Sequence, residues 1–397
     1  MQKFKTKLSA LRPLRPFLLL WSTQALSALG SGMTSFALVI WAYGQSGSAL
    51  STALLSICSY APYVLLSIFA GALSDRWNKK VTMLVCDLFA AGTTVAVFLL
   101  LHTGRLAVWH LYALNILNGL MNTVQQPASE VASTLLIPKR HFQRTSGLRS
   151  LSSALNSVLT PIAATAVLGL FGLGAVLALD LLTFALAFCT LLFFIRIPKS
   201  GGDREKEPVL RAAGRGLRYL ADNRGILLLI LFLAAINLIA SIYNAALPAM
   251  LLSRPNGGEG ALGAVNTCAG LAMLAGSLLV SLLPAPKSRV RVICNALLFS
   301  MSTENFLLAL GHSLPVWCVA AVLGWISIPL MNANMDVLLR TRIPVGMQGR
   351  VYAARNTLQF CTIPVGYLLG GWLVDGVCTP LMAAQGPASP LARLLGT

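Results

Sequence analysis

Five acidic residues lie inside or at the ends of long apolar runs in this chain: Asp87, Glu130, Asp180, Glu304 and Asp336. A carboxyl group in a low-dielectric interior gives up its charge readily by taking a proton, which suits a proton carrier. Amide side chains form a second pattern. Asn115, Asn118, Asn122 and Gln125 or Gln126 recur at i, i+3, i+7 and i+10/11, one face of a helix. Gln24, Ser27, Ser31 and Thr34 or Ser35 repeat it near the start of the chain. Asn237, Ser241 and Asn244, with Tyr243 beside them, and then Trp325, Asn332 and Asp336 add two further polar faces. Uncharged amides and aromatics on apolar helices suit a bulky amphipathic ligand better than a small ion. The motifs of catalysis are absent: no G-x-x-x-x-G-K-[ST], no H-E-x-x-H and no G-x-S-x-G. An enzyme is not expected, and neither is a cofactor or a metal, since His102, His110, His141 and His312 are unclustered. The cysteines have no C-x-x-C pair and read as small apolar packing residues.

These side chains need elements to position them, and composition decides which. Of 397 residues, 56% are hydrophobic and only 11% are charged. Mean hydropathy is +0.75. So few charges cannot cover a soluble protein of this length, so the chain reads as a multi-span membrane protein. A spanning helix needs about 20 mostly apolar residues. Runs at 17–43, 50–70, 81–102, 107–133, 146–169, 171–195, 225–252, 261–284, 290–311, 315–338 and 351–374 fit. They are long and unbroken, which favours helices over a barrel of short alternating strands. The first run, preceded by a basic tail, reads as an uncleaved first helix.

The net charge of +18 is a topology signal. Twenty-seven of the 30 Lys and Arg residues fall in the N-terminal tail or in and beside the even-numbered connections. Arg105, Arg254 and Arg393 fall on the other side. By the positive-inside rule the N-terminus is cytosolic, and the basic charge calls for no nucleic acid. The partners expected are an amphipathic small molecule, protons and the lipid bilayer, with a monomer as the default state. The membrane expected is a bacterial cytoplasmic membrane.

Residues 196–224 are the one long polar stretch. They divide the chain into a first bundle at 1–196, a linker at 197–224 and a second bundle at 225–397. Within the linker, Leu210, Leu217 and Leu220 face a basic side, as in a short helix lying on the membrane surface. The last residues, from Val377, carry three prolines and Gly386 and are expected to form an external tail rather than a span. An internal repeat joins the halves. Glu130, Pro138, Arg144 and Arg149 recur as Asp336, Pro344, Arg350 and Arg355, with an offset of 206 at every position. Each set puts a carboxylate at the end of one span and two arginines at the start of the next, as gate residues would be. Asp336 also precedes Arg340 by one helical turn, an orientation that favours an ion pair.

The connection between the second and third spans reads Gly71-Ala-Leu-Ser-Asp75-Arg76-Trp-Asn-Lys79-Lys80. Gly71 permits close helix approach. Asp75 can accept hydrogen bonds from a helix N-terminus or an arginine across a domain interface. Arg76, Lys79 and Lys80 hold the loop in the cytosol. The string resembles the loop motif of the major facilitator superfamily. Leu20-Trp-Ser-Thr-Gln24, Gln126-Pro-Ala128, Thr303-Glu-Asn-Phe306 and the stretch from Gln348 to Gln359 narrow the resemblance. They are similar to the branch holding macrolide-efflux proteins and enterobactin-type siderophore exporters. The resemblance covers essentially the whole chain. It implies an all-α membrane protein of the major facilitator fold, with two six-helix bundles and a central cavity lined by spans 1, 4, 7 and 10. It also implies export driven by the proton gradient. Only eleven spans are present in this chain, because the family's twelfth falls about where it stops. The glycine-rich signature of exporters on span 5 is reduced here to Asn156-Ser-Val-Leu-Thr160-Pro161-Ile-Ala-Ala164. That leaves a same-fold metabolite importer or lipid translocator open, and beside it a transporter-like receptor or regulatory membrane protein. Gln24, Ser27, Ser31, Asn115, Asn118, Asn122, Gln125, Gln126, Asn237, Tyr243, Asn244, Trp325 and Asn332 are the cavity candidates. Asp87, Asp180 and Glu304 are the candidates for proton coupling.

Overall fold

The computed structural model describes residues 15–136, 142–197, 209–254, 256–284 and 286–385. Within them it leaves out the side chains of 15, 67–76, 130, 134, 142–151, 209–213, 281, 340, 345–350, 353 and 383–385. Helices α1 (Arg15–Ser46), α2 (Ala49–Arg76), α3 (Lys79–His102) and α4 (Val108–Leu136) come first. Phe142–Cys189 is two helices, α5 and α6, meeting at Gly172. That residue has φ +77°, a conformation only glycine adopts freely, so it turns the chain back across the membrane. A π-helical turn, Thr190–Phe194, extends α6.

The second half holds α7 (Val209–Asp222), α8 (Arg224–Ser253), α9 (Glu259–Leu282) and α10 (Arg289–Leu310). Its remaining spans are each broken in the middle. One is α11 (Leu314–Trp325) with α12 (Ile328–Arg342), where Pro329 in the first turn of α12 follows the break. The other is α13 (Val345–Phe360) with α14 (Thr362–Leu373), which a π turn at Val374–Cys378 and α15 (Thr379–Gln385) prolong. The helix therefore runs past Val377, where the prolines were expected to end it. Pro380 is the second residue of α15 and directly follows the π turn, where the shift in hydrogen-bond register accommodates a residue without an N–H.

Among the described residues, nine helical segments are long and apolar enough to cross a membrane. One of them, Ser152–Phe194, contains both limbs of the hairpin at Gly172. Helix α4 has the length, at 29 residues, but its amides lower its hydropathy. Large apolar side chains such as Leu170, Phe193 and Leu282 point outward, as lipid contact requires. Helix α7 does more than float on a surface. Its Leu220 is fully buried against Leu229, Ile293 and Leu339, and the Tyr219 hydroxyl donates to the Arg342 carbonyl at 3.3 Å.

The two halves meet along two pairs of helices. On the α5–α9 seam, a Cβ on Gly263 would collide with Thr165, and one on Gly270 would lie 2.7 Å from the Ser157 carbonyl. The glycines lost from the exporter signature on α5 thus have counterparts on the facing helix, which lets the same close packing form. On the α2–α14 seam, Gly371 lies directly against Leu50. The Tyr43 hydroxyl of α1 adds a bond to the Ala249 carbonyl of α8 at 3.4 Å. These contacts run from the end bearing the α1–α2 and α8–α9 connections towards the middle of the molecule.

Candidate functional site: a polar cavity with two buried carboxylates

Asp180 is brought to the cavity by close packing of α1 on α6. A Cβ on Gly30 would collide with Thr183 and lie 3.1 Å from Asp180 Oδ1, so only glycine allows this approach. Ser31 and Thr34, one and four residues on, then reach the carboxylate. Ser31 donates to Oδ1 at 3.0 Å, Thr34 to Oδ2 at 3.0 Å, and Thr94 of α3 to Oδ2 at 3.2 Å. Asp180 is only 4% exposed. Asp87 of α3 is held differently. Gln125 of α4 and Gln24 of α1 donate amide N–H bonds to it, the second at 3.5 Å.

The donors to both carboxylates are neutral, and the two sets differ chemically. A hydroxyl can donate to a carboxylate or accept from a carboxylic acid by rotating its O–H. The Asp180 cradle of three hydroxyls therefore serves either protonation state without moving a heavy atom. An amide NH₂ only donates, so the Gln24 and Gln125 pair serves the charged form of Asp87.

Both acids line a cavity of about 470 Å³. Its wall brings together Gln24, Ser27 and Ser31 of α1 with Asn115, Asn118, Asn122, Gln125 and Gln126 of α4. It shares Ser59, Asn115, Asn122 and Gln126 with a neighbouring space of about 600 Å³, which Tyr60 and Tyr63 also line. Volumes of this order hold a drug-sized molecule. Gly119 keeps the helices close, since a Cβ there would sit 2.5 Å from the Ser59 carbonyl. The sequence reading missed the tyrosine wall. Tyr60 stacks across the seam on Tyr367 of α14, with ring centroids 6.5 Å apart. Tyr60 and Tyr63 stand one turn apart on α2 and could have been found by helical spacing, whereas the stack on Tyr367 is written in no local pattern.

In the second half the candidates go to different places. Tyr243 and Trp325 converge on Glu304, donating to Oε1 at 2.8 and 3.0 Å. Glu304 is 7% exposed and fits because Gly324 has no side chain. It ties α8, α10 and α11 together. Asn237 donates to the Gln359 carbonyl at 3.0 Å. Asn244 lines a space of about 220 Å³ between the halves, opposite Phe36 and Thr52. Asn332 is exposed.

Of the gate candidates, Asp336 interacts electrostatically with Arg355, whose Nε donates to Gln359 Oε1 at 2.9 Å. The side chains of Gly71, Asp75, Arg76, Glu130, Arg144, Arg149, Arg340 and Arg350 lie outside the described residues. Lys79 and Lys80 have structural work beyond topology. Lys80 Nζ donates to the carbonyls of Leu192 and Ile195 at 2.9 and 2.7 Å and so caps the end of α6. Lys79 is buried and donates to the Trp77 carbonyl at 3.3 Å.

The polar, carboxylate-walled cavity lies within the first bundle, lined by α1 and α4 with α2, α3 and α6, and not by the second-half helices expected to share it. Two helical bundles with such a cavity are the architecture of a multi-pass membrane transporter. A family model described as the transmembrane secretion effector family, MFS_3, matches residues 8–389. The chain belongs to this family of the major facilitator superfamily and is a transporter, not an enzyme. Macrolide efflux protein A of Streptococcus pyogenes is 23% identical over 367 residues, covering 91% of this chain and 90% of that one. The multidrug efflux pump Tap of Mycolicibacterium fortuitum is 24% identical over 372 residues, covering 91% and 89%. Among solved structures, the nucleoside transporter NupG has a TM-score of 0.72 at 13% identity, over 96% of this chain and 95% of that one. A bacterial homologue of the human lysosomal transporter Spinster, inward-facing and unoccupied, has a TM-score of 0.71 at 15% identity, over 94% and 84%.

Proposed function

We propose that this protein is a proton-coupled exporter of amphipathic small molecules in a bacterial cytoplasmic membrane, with the N-terminus in the cytosol. The observation that carries the reading is the hydroxyl cradle of Asp180 in the wall of a cavity that the amide stripe of α4 also lines. An acid stable in both protonation states, beside a ligand-sized space, can exchange a proton as substrate enters or leaves. The efflux names of bacterial relatives at 23–24% identity support the direction of transport. Alternating access then follows from the two bundles rocking about the seams between them, which exposes the cavity of the first bundle to one side at a time. The closely packed end, with the α1–α2 and α8–α9 connections, is the external end under this topology. Asp75, Glu130 and Asp336, with the arginines beside them, act as gates at the other end.

An efflux assay on the full-length protein tests this. Cells expressing it are loaded with a small panel that includes macrolides and catecholate siderophores. At least one compound should leave faster than from empty-vector cells, and a protonophore should remove the difference. Export of every panel member at the empty-vector rate would sink the reading.

The topology has its own test. Glu259 begins α9, and Arg291 lies in the first turn of α10; both are exposed. An impermeant maleimide should label Glu259→Cys in intact cells, and Arg291→Cys only after permeabilisation. The reverse pattern would invert the assignment.

A further inference from the structure

Asp375 belongs to the π-helical turn that prolongs α14, in the second bundle. Its carboxylate crosses to the first bundle and covers the N-terminus of α2. It accepts from Ser48 Oγ at 2.6 Å, from the Ala49 N–H at 3.0 Å and from the Leu50 N–H at 2.8 Å. The first N–H groups of a helix have no partner within it and carry the positive end of its dipole, so a carboxylate is well placed there. Bonds to an ionised acceptor are also stronger than neutral ones. One turn below, Gly371 lies so close to α2 that a Cβ would come within 2.6 Å of Leu50 Cα.

Helix α2 does not need this acid in order to form. Ser48 is its own N-cap and accepts from the Ser51 N–H at 3.1 Å. The free energy of the Asp375 contact therefore goes into joining two bundles. Asp375 is only half-buried, so water can take over each of its three bonds when the bundles part. The contact can break and reform without stranding a charge. The same α2 ends on the opposite side of the molecule at Asp75 and Arg76.

We infer that Asp375 is a positioning residue of the transport cycle, a latch holding α14 on α2 that sets how often this end opens. It is the counterpart, at the closed end, of the gate role given to Asp75. This rests on the alternating-access part of the proposed function, but its test requires neither a substrate nor a proton gradient.

The full-length protein in lipid nanodiscs carries spin labels, attached through unnatural amino acids, at Arg105 and Ser313. Both positions are exposed at the latched end, one in each bundle. Electron–electron distance measurement then reads the closed and open populations. Asp375→Asn keeps the shape and removes the charge. The open-to-closed ratio should rise about three- to tenfold, the difference between a charged and a neutral acceptor. Ser48→Ala removes one donor and should shift the ratio the same way. Because the two act through one contact, the double variant should shift it by less than the product of the single effects. If Asp375→Asn unfolds the protein, Ser48→Ala alone carries the test. A distance distribution unchanged in every folded variant would overturn the latch. That result would leave the efflux reading standing, while a failed efflux assay would leave the latch standing.

Discussion

Asp180→Asn should abolish proton-driven export and leave the folded protein almost unchanged. The asparagine side chain has the same shape, and its Oδ1 still accepts a hydroxyl. Its NH₂ meets hydroxyl groups of Thr34 and Thr94, which accept as readily as they donate. No buried group is stranded, so the melting temperature in detergent should stay within a few degrees of the parent, corresponding to less than about 1 kcal/mol. What is lost is the exchangeable proton. Uphill export should fall to the empty-vector level. Substrate exchange across a vesicle membrane, which needs no net proton movement, should continue. A variant that still exports against a gradient would remove Asp180 from the coupling role. One that loses both uphill export and exchange would mark it as part of the substrate site instead.

Gly324→Val should produce the largest loss of stability in the second bundle. A Cβ at this position would overlap Glu304 Oε2 and lie 2.5 Å from Cδ and 2.7 Å from Cβ of the same side chain. The carboxylate end could swing away, but Cβ cannot. Swinging away would also break the bonds from Tyr243 and Trp325. Overpacking typically costs about 1–3 kcal/mol, and stranded buried donors about 1–3 kcal/mol each. Together these reach several kcal/mol, enough to remove most folded protein in a fluorescence size-exclusion assay. Glu304→Gly costs stability alone, because it strands the tyrosine and the indole. Combined with Gly324→Val it removes the Cβ as well as the carboxylate and so clears the space that valine needs. The double variant should then be more stable than Gly324→Val, a coupling expected only of residues in direct contact. Equal stability of the two would refute the account of this knot.

Much of the architecture is legible in the sequence. Long apolar runs with few charges leave the backbone no alternative to helices, because lipid satisfies no N–H or C=O group. The amide stripe of α4 was legible for the same reason: helical spacing puts Asn115, Asn118 and Asn122 on one face, and that face lines the cavity. The membership of the major facilitator superfamily was carried by the loop from Gly71 to Lys80, a local string that needs no tertiary information.

Other features were written in no local pattern. Asp375 looked like an acid just beyond the last span. Its three bonds depend on a helix end more than three hundred residues earlier in the chain, reached only when α14 packs on α2. Glu304 looked like a coupling candidate equal to Asp180. Packing gave one of them a cradle of hydroxyls in a cavity wall and the other a bond pair from Tyr243 and Trp325 above a glycine. The basic charge at Lys80 read as topology alone until α6 ended beside it with open carbonyls. The sequence by itself determined the solvent of each segment, the helical periods and the polar faces, because these depend on residue type and spacing along one chain. Which carboxylate meets hydroxyls, which meets an indole and which holds two bundles together was decided only by tertiary structure. Hydrogen bonds form over about 3 Å, and only the packing of helices distant in sequence brings those donors within reach.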